Sequence, residues 1–305
     1  MSTTPRISVL LTSYNRADFI AESIESVLAQ TMTDFELIIC DDHSRDGTVD
    51  IVNDYARRDS RIRASINERN LGQFENRRHV ASLARGRYLK YHDSDDVMYP
   101  HCLKTMVEPL EAEPRAACAL SGASYWPGVQ CPALLTPQLA FEREYLGSGL
   151  FNLGPAGAMF RTEAFRELGG FPVSGVASDY LFWIKACAQV NVLLVSADLF
   201  YYRVHEGQEM VSATAARDYA RATAAAWAML NSDACPLHGA VLEQAKRNFA
   251  YTMVRASFRQ FRRRRFGPAA AILAYSGIPP LDWIRYLRPP RRSAFAGSPA
   301  REVRS

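Results

Sequence analysis

The residues best equipped for chemistry in this chain are aspartates. Asp93, Asp95 and Asp96 crowd into the segment YHDSDD at the end of a strand-like run. Carboxylates this dense repel one another unless they are solvated or share a cation. One reading is an exposed acidic turn that caps the next helix. The other is a metal site, and the position at a strand end favours it. Two or three oxygen ligands with open positions suit Mg²⁺ or Mn²⁺ held together with a diphosphate. Asp41 and Asp42 end a second apolar run, FELIIC. A carboxylate there accepts hydrogen bonds from a base N–H or a ribose hydroxyl, or it closes an Asx-turn in DDHSRDGT. No Ser-His-Asp or Cys-His arrangement stands out. The six cysteines form no CxxC pair, so a structural zinc site is not expected.

The elements that must position these residues follow a rhythm. ISVLL (7–11) is a continuous apolar run, as in a strand buried on both faces. The polar turn TSYNRADF follows, and Asn15 with Asp18 marks a helix start. Ile20, Ile24, Val27 and Leu28 then share one helix face. FELIIC (35–40) predicts a second strand, Val49–Tyr55 the start of a second helix, Ile62–Ile66 a third strand, 73–85 a helix and RYLKYH a fourth strand. Strand and helix in alternation predict an α/β doubly wound sheet, mostly parallel and flanked by helices. Ligands of such sheets sit at the carboxyl ends of the strands. TSYNR, DDHSRDGT and DSDD all fall there, so far-apart polar loops are expected to meet on one edge.

Beyond residue 100 the signal weakens. Ala116–Leu120 reads as a strand and 126–137, with three prolines, as a loop. A strand is expected near 156–160, a short helix over 162–168, a helix over about 179–189, a strand over 192–196, and one or two helices over 214–262. The expected organisation is a domain over 1–210, in two halves that meet at about residue 100. A basic helical extension follows over 211–288, then a disordered tail over 289–305.

The 305 residues are 48% hydrophobic and 22% charged, which excludes a disordered or low-complexity chain. The net charge of +4 hides an asymmetry. Residues 255–305 hold 12 Arg against 2 acidic residues, leaving 24 basic against 30 acidic residues in 1–254. A nucleic-acid binder would more often carry a basic main domain, so no nucleic-acid partner is expected. The segment 255–292 mixes Arg262–Arg265 with Trp283 and Tyr286, the texture of an interfacial segment on an anionic membrane surface; the alternative is a helical pair with solvated arginines. The amino-terminal apolar run is too short for a signal peptide, and no stretch reaches the ~20 apolar residues that span a bilayer. The expected location is cytoplasmic, peripheral on the cytosolic membrane face.

Taken in order, ISVLLTSYNR, SIESVLAQT, FELIICDDHSRDGT, the Asn70–Gly72 pair, ARGRYLKYHDSDD and LGGF…SDYLFWIKA…YYRVH resemble a family 2 glycosyltransferase over residues 5–210. The resemblance implies a GT-A fold, a nucleotide-diphosphate-sugar donor of UDP or dTDP type, a divalent metal, and inversion at the anomeric carbon. It implies an acceptor hydroxyl on a glycan or lipid-linked saccharide, as in cell-surface polysaccharide synthesis. Thr12 and Tyr14 would line the nucleoside pocket. Asp42 would face the base with Asp41 in support, Arg77 would lie near the nucleotide, and Asp93 would bind the ribose side. Asp95 would ligate the metal, and His205 would lie close to the metal or diphosphate, although a lone His is more often packed or superficial; Arg203 would brace the loop or a phosphate.

Asp179 matches the family's catalytic base. Glycosyl transfer needs a group to take the acceptor proton; the competing role for Asp179 is to cap the helix that begins there. The chain departs from the family pattern at Ser178, where an acid is usual, and at Arg78, where an Asn is usual. LGGF reads as a structural turn. Tyr180 and Trp183 offer faces for stacking on sugars, but at helical spacing they read equally as core. Two rival functions stand beside this one. A sugar-nucleotide nucleotidyltransferase would need a glycine-rich phosphate loop after the first strand, and TSYNRADF has no glycine. A non-catalytic sugar-nucleotide-binding module is the other, and Ser178 keeps it open.

Overall fold

The computed structural model describes residues 4–121, 129–195, 199–205, 215–279 and 283. The expected disordered tail (289–305), Tyr286 and most of 280–292 lie outside the described residues. The chain forms two compact units that alternate along the sequence. One comprises 1–134, 153–173 and 191–206; the other comprises 135–152, 174–190 and 207–305.

The first unit is built on an eight-stranded sheet. Its strands are β1 (Ile7–Ser13), β2 (Phe35–Asp41), β3 (Ile62–Ile66), β4 (Tyr88–Asp93), β6 (Ala116–Leu120), β7 (Ala133–Leu135), β8 (Ala158–Arg161) and β9 (Asn191–Leu194). They run in the order β3-β2-β1-β4-β8-β6-β9-β7. β3, β2, β1 and β4 pair in parallel, and so do β6 and β9. β8 is antiparallel to both β4 and β6. The crossovers are helices α1 (Ile20–Leu28), α2 (Thr48–Arg58) and α3 (Gln73–Ser82). The continuous apolar runs of the sequence are therefore strands covered on both faces, as the run lengths predicted.

Ile7, Val9 and Leu11 of β1 pack with Ile20, Ile24 and Val27 of α1 in the main apolar core. Each fully buried aliphatic side chain contributes about 1.5–3 kcal/mol relative to exposure. A two-stranded antiparallel sheet joins β5 (Val97–Met98) to β10 (Phe200–Tyr201). It ties the chain after β4 to a segment a hundred residues later.

Several local expectations change. Helix α1 begins at Ile20, not at Asn15, because Asn15 adopts a left-handed conformation (φ 51°) and closes a turn. Strand β7 lies inside the proline-rich stretch expected to be a loop. It follows Pro132 on the sheet's edge, where a missing N–H is tolerated. Helix α4 (Cys102–Ala112) was not expected, because Pro109 interrupts its pattern. Helix α5 (Pro137–Leu146) was also missed, although Thr136 caps it and Pro137 opens it.

The second unit is helical in its described residues: α5, α7 (Ser178–Cys187), α8 (Ala215–Leu230), α9 (Gly239–Arg262) and α10 (Phe266–Tyr275). The short α6 (Thr162–Glu167) belongs to the sheet unit.

Candidate active site

Strand register decides which polar groups meet. Thr12 on β1 is opposite Asp93 on β4, and Ser13 is opposite Asp41 on β2. The three polar loops after β1, β2 and β4 thus leave the sheet side by side at its carboxyl edge, as the sequence predicted.

The first two loops hold each other. Asn15 N–H donates to Ser44 Oγ at 2.8 Å, Arg16 N–H to Thr48 Oγ1 at 2.8 Å and Ala17 N–H to Asp46 Oδ2 at 3.1 Å. Arg45 N–H donates to Asn15 Oδ1 at 3.0 Å. These bonds fix the turn that leads into α1, whose first N–H, on Ile20, donates to the Arg16 carbonyl at 2.9 Å. Asn15 and His43 (φ 64°) both occupy the left-handed region, so local strain is concentrated at this edge.

Asp41 is fully buried; its carboxylate accepts from Ser13 Oγ at 2.8 Å, from Ser44 N at 2.8 Å and from Ser44 Oγ at 2.6 Å. The Asx-turn of this loop is closed by Asp46, whose Oδ1 accepts from Thr48 N at 3.0 Å. Asp42 is also buried. Its oxygens accept from Asn67 Nδ2 at 2.9 Å, Leu71 N at 2.7 Å and Gly72 N at 2.8 Å. Gly72 has φ 83°, which lets its N–H turn toward Asp42. Asp42 thus fixes the 67–72 loop, and one of a carboxylate's roughly four acceptor positions is left for another donor. Tyr14 stands exposed at the same edge, and Thr12 is half-buried.

The third loop carries the charge. Asp95 Oδ2 lies 2.9 Å from His205 Nε2 and 3.4 Å from Arg16 Nε. Asp93 Oδ1 lies 4.0 Å from the buried Arg77 guanidinium. Burial raises the Asp93 carboxyl above its usual range, Arg77 opposes this and Asp95 adds to it, while the side chain keeps 36% of its surface open. Asp96 is buried and accepts from Arg203 N at 3.0 Å; its other oxygen has no partner among the described residues. Burial, then the Asp93 charge, pushes its carboxyl up to about 7.

His92, assigned no role from sequence, is buried beneath and pushed down to about 3, first by burial and then by Lys90. Lys90 is itself buried, donates to the Ala156 carbonyl, and is lowered by desolvation. The mutual repulsion of the aspartates is therefore relieved in part by the protein's own cations, Arg16, Arg77 and Arg203.

Sequence reasoning missed Arg16 and Phe19, whereas Arg203 was expected to brace a loop or a phosphate and does hold the acidic loop. Arg16 was read only as part of the turn TSYNR. Arg203 donates Nε to the Asp95 carbonyl at 2.9 Å and Nη2 to Glu22 at 2.5 Å. Phe19 lies between Arg203 and His205, its ring 4.7 Å from the imidazole and 5.3 Å from the guanidinium. The available signal was YYRVH itself; its pairing with DSDD depends on the β5–β10 contact, which no local pattern reveals.

Among the described residues no three His, Cys, Asp or Glu side chains converge as a ready metal cage. Asp95 and His205 do fit a two-ligand site. Their atoms are adjacent, each side chain keeps 14% of its surface, and Mg²⁺ or Mn²⁺ commonly takes one or two protein ligands plus phosphate oxygens.

Asp179 belongs to the helical unit. It is half-buried in the first turn of α7, and its Oδ1 accepts from Tyr180 N at 2.8 Å. Ser178, where the family acid would stand, is buried. Trp183 is core, whereas Tyr180 is half-buried.

The family model for "Glycosyl transferase family 2" matches residues 8–169, over half the chain. The Escherichia coli protein WfaP, a UDP-Glc:alpha-D-GlcNAc-diphosphoundecaprenol beta-1,3-glucosyltransferase, is 30% identical over 219 residues, covering 66% of this chain and 78% of WfaP. The chain spans less than half the length of two further relatives from Bacillus subtilis (strain 168), 40% of one and 47% of the other. Among solved structures, S. aureus TarS (1–349) with UDP-GlcNAc superposes with a TM-score of 0.62 at 24% identity, covering 80% of this chain and 71% of that one. The mannosyltransferase PcManGT of Pyrobaculum calidifontis, solved with GDP-Man and Mn²⁺, gives a TM-score of 0.58 at 17% identity over 94% of this chain and 79% of that one. Sheet order, strand-edge loops and family model agree: the chain belongs to glycosyl transferase family 2 and has the GT-A fold.

Proposed function

We propose that this protein is an inverting glycosyltransferase that moves one sugar from a UDP- or dTDP-type donor to a hydroxyl of a glycan or lipid-linked saccharide. The observation that carries the reading is the cluster at the carboxyl edge of β1 and β4. There His205 Nε2 and Arg16 Nε lie 2.9 and 3.4 Å from Asp95 Oδ2, beside Asp93 and Arg77. Relatives and neighbours whose names state UDP-glucose, UDP-GlcNAc, a diphosphoundecaprenol acceptor or Mn²⁺ support the same chemistry.

In this reading Thr12, Tyr14 and Asp42 border the nucleoside, and Asp41 keeps the loop beneath Asp42 in place. Asp42's remaining acceptor position suits a base N–H. Arg77 steadies Asp93 for contact with a ribose hydroxyl. Asp95 and His205 would hold Mg²⁺ or Mn²⁺, which when bound supplies positive charge to a departing diphosphate. Asp179 takes the proton of the acceptor hydroxyl. The acceptor oxygen forms its bond to the anomeric carbon while the bond from that carbon to the diphosphate oxygen breaks, and the electron pair leaves with the nucleoside diphosphate. One displacement with no covalent intermediate inverts the anomeric centre.

We also assign the basic end of the helical unit to an anionic membrane surface. Phe258, Phe261 and Phe266 are exposed among the exposed Arg259 and Arg262–Arg265. Among the described residues no helix is long and apolar enough to cross a membrane. A peripheral position on the cytosolic face would bring a lipid-linked acceptor within reach.

The test is release of UDP or dTDP from a panel of UDP- and dTDP-sugars with Mn²⁺. At least one donor is expected to be hydrolysed slowly without acceptor and faster with a saccharide acceptor. Release of pyrophosphate from a nucleoside triphosphate and a sugar phosphate, with no cleavage of any nucleotide sugar, would replace this reading with the nucleotidyltransferase.

A further inference from the structure

The helical unit contains a half-open cavity of about 280 Å³ that nothing above uses. Glu144, Tyr145, Tyr180, Tyr219, Asn248 and Phe249 contribute to its lining. These residues come from α5, α7, α8 and α9, so the cavity is made by helix packing and not by one mobile loop.

Its walls combine two kinds of surface. Tyr145, Phe249, Phe151 and Tyr180 form a chain of edge-to-face rings, with centroids 5.9 Å apart for Tyr145–Phe249 and 6.1 Å for both Tyr145–Phe151 and Phe151–Tyr180. Tyr219 stands at the mouth with 45% of its surface exposed. Against this apolar wall stand polar groups held in fixed positions. Glu144 accepts from Leu150 N at 2.6 Å, Phe151 N at 2.9 Å and Tyr180 Oη at 3.3 Å. Asn248 donates Nδ2 to the Tyr145 carbonyl at 3.1 Å, while its buried Oδ1 accepts nothing among the described residues. A buried amide oxygen without a donor is costly, and a ligand hydroxyl would satisfy it. Flat aromatic faces beside fixed acceptors match a pyranose, which has C–H faces and a hydroxyl rim. The volume lies at the small end of small-molecule sites, about 300–1,000 Å³, and suits a single sugar ring.

The cavity also adjoins Asp179. Tyr180, the next residue, lines it. The Tyr219 phenol is raised first by burial and then by the charge of the Asp179 carboxylate.

We propose that this cavity is a subsite for one neutral hexopyranose of the saccharide acceptor, with Tyr219 as stacking platform and Asn248 Oδ1 as hydroxyl acceptor. This rests on the glycosyltransferase reading and adds to it where the acceptor is held.

The probes are methyl β-D-glucopyranoside, methyl β-D-galactopyranoside and methyl N-acetyl-β-D-glucosaminide, followed by saturation-transfer NMR on the full chain. At least one glycoside is expected to receive saturation. Tyr219→Ala should weaken its binding about tenfold, and Thr223→Trp, which fills the cavity, should abolish it. Thermal melts show that each variant is folded. If no glycoside receives saturation, or if both folded variants bind it as the unsubstituted chain does, the subsite is overturned. Stabilisation of the unsubstituted chain by UDP or dTDP with Mn²⁺ reports on the donor site alone, so failure of the donor reading and failure of the subsite are told apart.

Discussion

Asp42, Asp95 and Asp179 all stand where an element ends or begins, yet their surroundings give them different work. Asp42 is enclosed by three protein donors and holds a loop. Asp95 faces a histidine and an arginine at the open edge. Asp179 sits in the first turn of α7, where its Oδ1 accepts from the N–H of Tyr180. A proton acceptor must be reachable, and the Asp179 side chain is half-buried, not enclosed. Replacing it by Asn keeps the hydrogen bond from Tyr180 but removes the basicity. Asp179→Asn is therefore expected to lower turnover by about 100- to 10,000-fold, with donor affinity unchanged, measured by sugar transfer alongside calorimetric titration of UDP or dTDP with Mn²⁺. Normal turnover would assign the base elsewhere and leave Asp179 as a helix-end residue. The aspartates were legible because each follows an apolar run or opens a helix. Arg16 and Phe19 were not, because their roles come from partners far along the chain.

At the scale of elements, Glu36 shows how the sheet edge opposite the site is fixed. It lies on β2, nearly buried, and accepts from Ser8 Oγ on β1 at 2.6 Å, from Arg63 on β3 at 2.7 Å and from Arg85 N before β4 at 2.9 Å. Burial alone would raise its carboxyl, but the bonds from Ser8, Arg63 and Arg85 outweigh it and the net shift is downward from 4.5. A carboxyl lowered in the folded state stabilises the fold above its unfolded value, and that contribution is lost as pH falls through the folded value. Glu36→Gln should thus cost about 1–3 kcal/mol at pH 7, with the difference shrinking below about pH 4.5. Urea denaturation at both pH values checks this; an equal difference at both would show that the charge plays no part. The alternation of strands and helices to residue 93 was legible because buried parallel strands make unbroken apolar runs. Helix α4 was hidden by Pro109, and the β5–β10 pairing by its hundred-residue separation. That pairing, more than any motif, sets His205 beside Asp95.

At the scale of the whole molecule, the charge asymmetry of the sequence becomes a surface. Arg259, Arg262–Arg265 and the exposed Phe258, Phe261 and Phe266 lie where α9 ends and α10 begins. Substituting Arg262, Arg263, Arg264 and Arg265 with Glu should abolish flotation with phosphatidylserine-containing liposomes, and raised salt should weaken flotation of the unsubstituted chain; equal flotation by both proteins would remove the membrane assignment. The central claim lies in the sheet unit: a divalent cation and a nucleoside diphosphate are held together at the edge carrying Asp95. Calorimetric titration of UDP and dTDP, with and without Mn²⁺, into the unsubstituted chain and Asp95→Ala tests it most directly. We expect Mn²⁺-dependent binding of at least one nucleotide, weakened at least about tenfold by the substitution. Binding that is indifferent to Mn²⁺ and to the loss of Asp95, or no binding of either nucleotide with Mn²⁺ present, would contradict the account.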